Sequence, residues 1–164
     1  MALIIEDGTI VASAQSYAAA SDLVTWAALR NLTIPAATAD QEALLMLAMD
    51  ALTGKNWKGS RVSTDQVLDF PRAGIIYDGQ LLPSDEIPSQ LFYAQLSLAY
   101  TANSVVLQPS AAAGSKGPVI KEKVDVLEVA YANPSKVYAV AADSRADALL
   151  NGLLRHAGLQ VIRV

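Results

Sequence analysis

The residues best suited to contact an anion lie in one short stretch, GKNWKGSR, which begins at Gly54 and ends at Arg61. Lys55, Lys58 and Arg61 recur at every third position, and Trp57 lies among them. Basic residues beside an aromatic ring are typical of proteins that hold single-stranded nucleic acid, because cations contact phosphates and rings stack on bases. The alternative is an ordinary turn in which Trp57 packs inward and the cations point into water.

The same stretch has two glycines, Gly54 and Gly59, at the spacing of a nucleotide phosphate loop. However, Ser60 stands where that loop needs lysine, and Arg61 stands where it needs serine or threonine. The stretch also follows a predicted helix, whereas a phosphate loop follows a strand. The pattern therefore argues against nucleotide binding.

Residues that carry catalysis or hold metals are sparse. The sequence has no cysteine and one histidine, His156, which excludes thiolate nucleophiles, disulfides and histidine-rich metal sites. His156 falls near the end of a predicted helix, where the helix dipole favours a cation. No nucleophile and base can be paired by spacing, so an enzyme is possible but unsupported, and we expect no cofactor and no metal.

The composition of the chain favours some classes of binding partner and disfavours others. The 164 residues carry a net charge of −4, and only 17% are charged while 52% are hydrophobic. Because acidic residues outnumber basic ones, the composition argues against general binding to nucleic-acid phosphates. Sparse charge indicates that other chains cover part of the surface, so we expect a homo-oligomer. No apolar run approaches the roughly 20 residues of a membrane helix, and we expect no membrane partner.

Periodicity and capping signals predict a mainly α fold, a bundle of about four helices with a β-hairpin and short terminal strands. Helices are expected at 21–31, 38–53, 88–104 and 143–156. Thr38 with Gln41 indicates a capping box, and Gly54 is placed to end that helix. The apolar residues of the second and third helices spread around the axis, so both should be surrounded.

Strands are predicted at 119–124 and 126–131 as a hairpin, and at 2–12 as a short strand broken by a turn. We expect one domain overall. Residues 1–107 would form a helical core with an N-terminal turn and a long 54–86 loop, 108–117 a flexible link rich in Ala, Ser and Gly, and 118–164 the hairpin, the last helix and a C-terminal tail.

Several short motifs, taken in order along nearly the whole chain, resemble one family. They are EDGT at 6–9, WKGSR at 57–61, FPRAG at 70–74, KEKV at 121–124 and LEVAY at 127–131. The chain thereby resembles the head–tail adaptor (connector) proteins of long-tailed bacteriophages, some of which are catalogued as DnaT-like single-stranded-DNA-binding proteins.

The resemblance implies a structural, non-catalytic subunit of a virion neck, made in the cytoplasm of the bacterial host. About twelve copies would form a ring below the portal protein, extend the DNA channel and receive a stopper or tail-terminator protein. Double-stranded DNA would pass through the lumen without sequence-specific contacts.

Two sets of residues are expected to make the contacts of such a ring. The tail alternates like an edge strand and would dock on the portal through Leu159, Gln160, Val161, Ile162, Arg163 and Val164. Contacts with other subunits or neck proteins are expected from Trp57, Lys58, Arg61, Phe70, Arg72, Lys121, Lys123 and Glu128. The alternative function is a DnaT-like single-stranded-DNA-binding replication accessory protein, which the basic stretch around Trp57 favours and the acidic balance opposes.

Overall fold

The computed structural model describes residues 2–107, 119–123, 128–131 and 143–155. Four helices lie in these ranges: α1 (Ala20–Ala28), α2 (Thr38–Leu52), α3 (Ser89–Ala102) and α4 (Ser144–Leu150). Six strands pair as antiparallel ribbons: β1 (Ser60–Arg61) with β2 (Arg72–Ala73), β3 (Ile76–Tyr77) with β4 (Gln80–Leu81), and β5 (Val119–Lys123) with β6 (Glu128–Tyr131). The described part is helix-rich with small sheets, which agrees with the mainly α prediction, whereas a four-helix bundle is not confirmed.

Helix α3 is the centre of the helical packing, because it contacts each of the other three helices. Its buried side chains spread around its axis: Leu91, Ala94, Gln95, Leu96, Ser97, Leu98 and Ala99. The carboxamide of Gln95 donates to Ser16 Oγ at 2.7 Å and to the Leu45 carbonyl at 3.3 Å, and it accepts from the Tyr17 N–H at 3.0 Å. One buried side chain thus joins α3 to α2 and to the N-terminal segment.

Helix α2 begins at Thr38, but the expected capping box is not formed. The Gln41 carboxamide instead donates to the carbonyl of Pro35 at 2.8 Å and holds the preceding connector. Gly54 has a φ of 78°, so it follows the end of the helix in the left-handed conformation that glycine favours, as predicted. Leu47 stays 49% exposed, so the subunit alone does not surround this helix.

The first residues of the chain do not form the predicted terminal strand. Glu6 is buried, and its carboxylate accepts hydrogen bonds from the main-chain N–H groups of Gly8, Ile10 and Val11 at 2.9–3.0 Å. Because the side chain takes these donors, the segment closes on itself as a loop. A strand would need the same donors for a neighbouring strand.

Residues 54–86, predicted as an irregular loop, contain two short ribbons. In the β3–β4 ribbon, Asp78 and Gly79 form a two-residue turn with φ values of 49° and 77°. Positive φ at both positions is the type I′ geometry, which matches the twist of a hairpin. The sequence Tyr77-Asp78-Gly79-Gln80 predicts this turn, which is confirmed, but two-residue strands are too short to leave a pattern.

The β5–β6 ribbon confirms the predicted hairpin, with Val119 opposite Tyr131 and Lys123 opposite Glu128. The predicted link at 108–117 and tail at 159–164 lie outside the described residues. Within the described ranges, no helix is both long and apolar enough to traverse a bilayer.

Helix α4 begins after Asp143, whose carboxylate accepts from the N–H groups of Arg145 and Ala146 and so caps the helix. The helix ends at Leu150 and not near 156, because the chain then turns and pairs with the segment after α2. The Lys58 N–H donates to the Leu153 carbonyl at 2.9 Å in this pairing. The end of the described chain is thereby attached to the β1–β2 region.

Candidate nucleic-acid interface

Positive charge is concentrated around the β1–β2 ribbon. We call the four cations that meet there, Lys58, Arg61, Arg72 and Arg155, the basic cluster. The structure describes the side chains of seven basic residues, these four and three others. More than half of the described basic side chains therefore lie in this one place. In a chain of net charge −4, such a concentration creates a local positive field that the total charge conceals.

Arg155 reaches the basic cluster through a contact between distant parts of the chain. Leu154 forms an antiparallel bridge with Trp57, and next to it the Arg155 N–H donates to the Asn56 carbonyl at 2.7 Å. The sequence offers no signal for this pairing, because a single bridge needs no strand pattern. Sequence reasoning therefore missed Arg155 as a member of the site.

Lys58 is tied to the same C-terminal segment by its side chain. Its ammonium group donates to the carbonyl oxygen of Gly152 at 2.8 Å. An ammonium group has further donors that this single bond leaves available. Lys58 therefore contributes charge at the junction of the two segments while it fixes their separation.

Arg61 and Arg72 are direct cross-strand partners in the β1–β2 ribbon. Like charges placed directly opposite each other destabilise a strand pair. The ribbon therefore carries an electrostatic cost that a bound anion would relieve.

Arg72 and Arg155 converge on one oxygen atom. The Nη2 atoms of both side chains donate to the Gly59 carbonyl, each at 3.1 Å. Because both Nη2 atoms bond to the same oxygen, the two guanidinium groups lie close to each other. Gly59 has a φ of 67°, and a Cβ there would lie 2.3 Å from the Ala73 carbonyl oxygen, so this close arrangement requires glycine.

Main-chain oxygens hold the half-buried Arg72 in place. Its Nε donates to the Lys58 carbonyl at 2.8 Å, and its Nη1 donates to the Asp69 carbonyl at 3.3 Å. Burial lowers the pKa of Arg72; the Asp69 carboxylate opposes this, and the charges of Arg61 and Arg155 lower the pKa further. Arg72 is therefore a rigid centre surrounded by like charge.

Asp69 is the carboxylate that contacts the basic cluster within the described residues. Its Oδ1 accepts from Arg61 Nη2 at 3.0 Å, and its Oδ2 accepts from the Trp57 indole N–H at 3.1 Å. Among the residues that the structure describes, the cluster thus has one contacting carboxylate for four cations, which is a surplus of positive charge.

Gln66 shapes the loop that joins β1 to β2. This side chain is buried, and its Nε2 donates to the carbonyls of Leu68 at 2.8 Å and Pro71 at 3.0 Å, while its Oε1 accepts from the Val62 N–H at 3.2 Å. Because a buried amide is costly unless it is bonded, these contacts fix the loop. The loop in turn fixes the position of Asp69.

Trp57 and Phe70 belong to the core of the subunit. They are 5% and 1% exposed, and their rings pack edge to face with centroids 5.1 Å apart. A ring this buried has no face for a base, so the interpretation of Trp57 as a stacking residue is wrong and the inward-packed alternative is confirmed. The predicted contacts of these two residues with another subunit stay a prediction.

The remaining residues put forward from the sequence lie elsewhere. Lys121 and Lys123 lie on β5 and Glu128 lies on β6; their contacts with other subunits stay predictions, as do those of Lys58, Arg61 and Arg72. His156 and the tail residues 159–164 lie outside the described residues.

The basic cluster is an open surface. The cavity beside Arg61 and Asp69 is about 70 Å³, whereas pockets for small ligands usually exceed roughly 300 Å³. A larger groove of about 520 Å³ lies away from the cluster and is lined by Leu47, Asp50, Ala102, Asn103, Ser104, Val105, Val106 and Leu107. The geometry at the cluster thus suits an extended ligand that lies across the surface.

A surface on which the described cations outnumber the described carboxylates is typical of proteins that hold an anionic polymer. The model of the family described as "Putative DnaT-like ssDNA binding protein" matches residues 1–164, so the chain belongs to this family. No curated protein and no solved structure matches the chain.

This membership corrects the function that the sequence resemblance implied. The main interpretation, a structural head–tail adaptor in a ring below a portal, is wrong, because the family description agrees with the alternative, a single-stranded-DNA-binding protein. The predicted virion, portal and connector roles are therefore wrong as well. The predicted portal, stopper and tail-terminator partners, and double-stranded DNA in a lumen, have no support from the family. A net charge of −4 does not exclude such a function, because binding depends on the local field where cations lie together and not on the total charge.

Proposed function

We propose that this protein binds single-stranded DNA and that the basic cluster is the surface that contacts the phosphates. The observation that carries the proposal is the convergence of Arg72 and Arg155 on the carbonyl oxygen of Gly59, with Arg61 directly across the ribbon from Arg72. Membership of a family described as DnaT-like and single-stranded-DNA-binding supports it independently.

The members of the basic cluster differ in what they can contribute. Arg61 and Arg155 are exposed, so their guanidinium groups keep N–H donors for the oxygens of a phosphate, although Arg61 also donates to Asp69 and to the Gln66 carbonyl. Lys58 adds a compact charge beside them. Arg72 is half-buried and bonded to main-chain oxygens, which makes it a positioning residue that adds charge to the field.

We propose a binding role without a chemical step. The Asp69 carboxylate is engaged by Arg61 and Trp57, and cations held on carbonyl oxygens position an anion without moving a proton.

Self-association also stays a prediction. Large apolar side chains that the subunit leaves exposed support it, namely Ile4, Val24, Leu29, Leu47, Val62, Val67, Ile76, Leu81, Tyr93, Val105 and Val106. Light scattering on the purified protein would measure its mass.

The test is a binding titration with a fluorescent oligothymidylate, followed by anisotropy at several salt concentrations. We expect the logarithm of affinity to fall linearly with the logarithm of salt. Arg61→Ala and Arg155→Ala should each weaken binding by about five- to tenfold and reduce the slope by roughly 0.7, the value for one contact to a single strand. A duplex of equal length should bind more weakly.

Arg30→Ala is the matched control. It removes the same charge from the protein, but its guanidinium lies over the Trp26 ring, 4.5 Å from the centroid, outside the basic cluster. Its affinity should stay within twofold of the parent protein. Absence of binding at low salt, or an equal loss in the control, would contradict the proposal.

A further inference from the structure

Single-stranded DNA is distinguished from duplex DNA by the faces of its bases, which stack on aromatic side chains. The described structure buries Tyr17, Trp26, Trp57 and Phe70. The described rings that keep some exposure are those of Tyr77, Phe92, Tyr93 and Tyr100. Any stacking surface within the described residues must come from this second group.

Three of these rings are paired with other rings away from the basic cluster. Phe92 and Tyr93 are neighbours on α3 with centroids 5.5 Å apart, and Tyr100 packs on Trp26 at 6.3 Å. Tyr77 has no aromatic partner among the described residues. It lies on β3, next to the tight Asp78-Gly79 turn, and is paired across the ribbon with Gln80.

The Tyr77 ring lies directly against Gly152, three residues before Arg155 of the basic cluster. A Cβ at Gly152 would lie 2.2 Å from Cε2 and 2.5 Å from Cδ2 of Tyr77, so the ring occupies the space that only glycine leaves open. The carbonyl of the same Gly152 accepts the hydrogen bond from the Lys58 ammonium. One residue therefore contacts an aromatic ring and a cation of the cluster.

The β3–β4 hairpin places the Tyr77 ring on a different face from the exposed apolar side chains beside it. Ile76 and Leu81 are cross-strand partners and are 61% and 70% exposed. Since side chains alternate between the faces of a strand, Tyr77 lies on the opposite face, the one that meets Gly152. A short ribbon closed by a type I′ turn holds the ring at a fixed place.

We propose that Tyr77 is the stacking platform for a base of the strand whose phosphates lie on the basic cluster. The proposal rests on the proposed function and deepens it, since it names the unpaired base as the group that is recognised beside the phosphate. Glycine at 152 then has a functional reason: it leaves room for the ring against the residue whose carbonyl oxygen holds Lys58.

The experiment compares two probes of equal length, an oligothymidylate and an abasic oligomer that keeps the phosphates and lacks the bases. Tyr77→Leu should weaken oligothymidylate binding about tenfold and leave abasic binding within twofold. Tyr77→Phe keeps the ring and should bind both probes like the parent protein. Gly152→Ala, which displaces the ring without altering it, should reproduce the selective loss of Tyr77→Leu. Circular dichroism checks that each variant is folded.

The outcomes separate the two proposals. If the parent protein binds neither probe, the proposed function fails and the platform with it. If it binds both and Tyr77→Leu weakens neither, or weakens both equally, phosphate binding stands and the stacking role of Tyr77 is overturned. A selective loss in Tyr77→Leu that Tyr77→Phe does not show supports the platform.

Discussion

Arg61 and Asp69 form a salt bridge of 3.0 Å at the edge of the basic cluster, and the same carboxylate accepts the indole N–H of Trp57. The carboxylate thus competes with any phosphate for Arg61 while it anchors the buried ring. It restrains the positive field of the cluster, because it is the counter-charge in contact with these cations in the described structure.

Replacing Asp69 with asparagine should therefore strengthen DNA binding. Asp69→Asn removes the charge but keeps an oxygen that can accept from the Trp57 N–H. We expect about threefold tighter binding to oligothymidylate at low salt and a steeper dependence on salt, because Arg61 becomes available to a phosphate. The loss of an exposed ion pair should lower the free energy of unfolding by at most about 1 kcal/mol.

Asp65→Asn is the control for that substitution. Asp65 is exposed in the same loop, and its main-chain N–H bonds to Ser63 Oγ. The same change in net charge should alter affinity by much less at this position. Equal strengthening in both variants would mean that only the total charge matters.

Gly59→Ala should disturb both the fold and the binding surface. Its Cβ would meet the Ala73 carbonyl oxygen at 2.3 Å, and its φ of 67° strains any other residue. We expect a loss of about 2–3 kcal/mol in the free energy of unfolding, measured with urea, and a clear loss of DNA affinity. Gly74→Ala has a similar φ of 75° with nothing within 4 Å of the new Cβ, so it should cost only about 1 kcal/mol. Equal costs would show that the contact with Ala73 is unimportant.

Gln95→Leu tests the link between α3 and the N-terminal segment. The substitution leaves the buried Tyr17 N–H without its acceptor and removes one of two donors to Ser16 Oγ, the other being the Ala18 N–H. An unsatisfied buried polar group costs about 1–3 kcal/mol, so urea unfolding should show a loss of about 2–3 kcal/mol. Gln90→Leu at the start of α3, where the side chain is only half-buried, should change stability by less than about 0.5 kcal/mol.

Asp143 makes the stability of the protein depend on pH. Burial raises the pKa of Asp143, but hydrogen bonds from Ser97, Ala146, Thr101 and Arg145 outweigh it, so the pKa lies below its ordinary value of 3.8. A lowered pKa contributes stability above the unfolded value that is lost as the pH falls through the folded value.

The variant Asp143→Ala should therefore be less stable by about 1–2 kcal/mol at pH 6–8, as expected for loss of an N-cap. The difference from the parent protein should shrink as the pH falls below about 4, because the unfolded chain takes up a proton at this position before the folded protein does. Asp147→Ala, in the exposed first turn of the same helix, should show a smaller effect. A difference that stays constant from pH 7 to pH 2.5 would refute the role of the charged form.

Sequence patterns located the elements that depend on local signals. The cap at Asp143, the end of α2 at Gly54 and the turn at Asp78-Gly79 each follow from the chemistry of one or two residues. The N-terminal strand was predicted wrongly, because nothing in the pattern shows that Glu6 takes the main-chain donors itself.

The candidate site was only half visible in the sequence. Lys58 and Arg61 lie in the basic stretch, but Trp57 could face water or the core, since both directions fit its neighbours. Arg155 and Tyr77 join the site through the Trp57–Leu154 bridge and through the contact with Gly152. Such contacts depend on tertiary packing, which periodicity does not record.

The bridge between Trp57 and Leu154 also has a consequence for the order in which the parts of the proposed surface come together. Arg155 and Gly59 lie 96 positions apart, yet they share one hydrogen bond at the centre of the surface. A nascent chain that has emerged from the ribosome only as far as α3 has Arg61 and Arg72 but neither Arg155 nor the glycine that seats Tyr77. The proposed surface is therefore complete only once the segment around Gly152 and Arg155 has been made and has folded against Gly59.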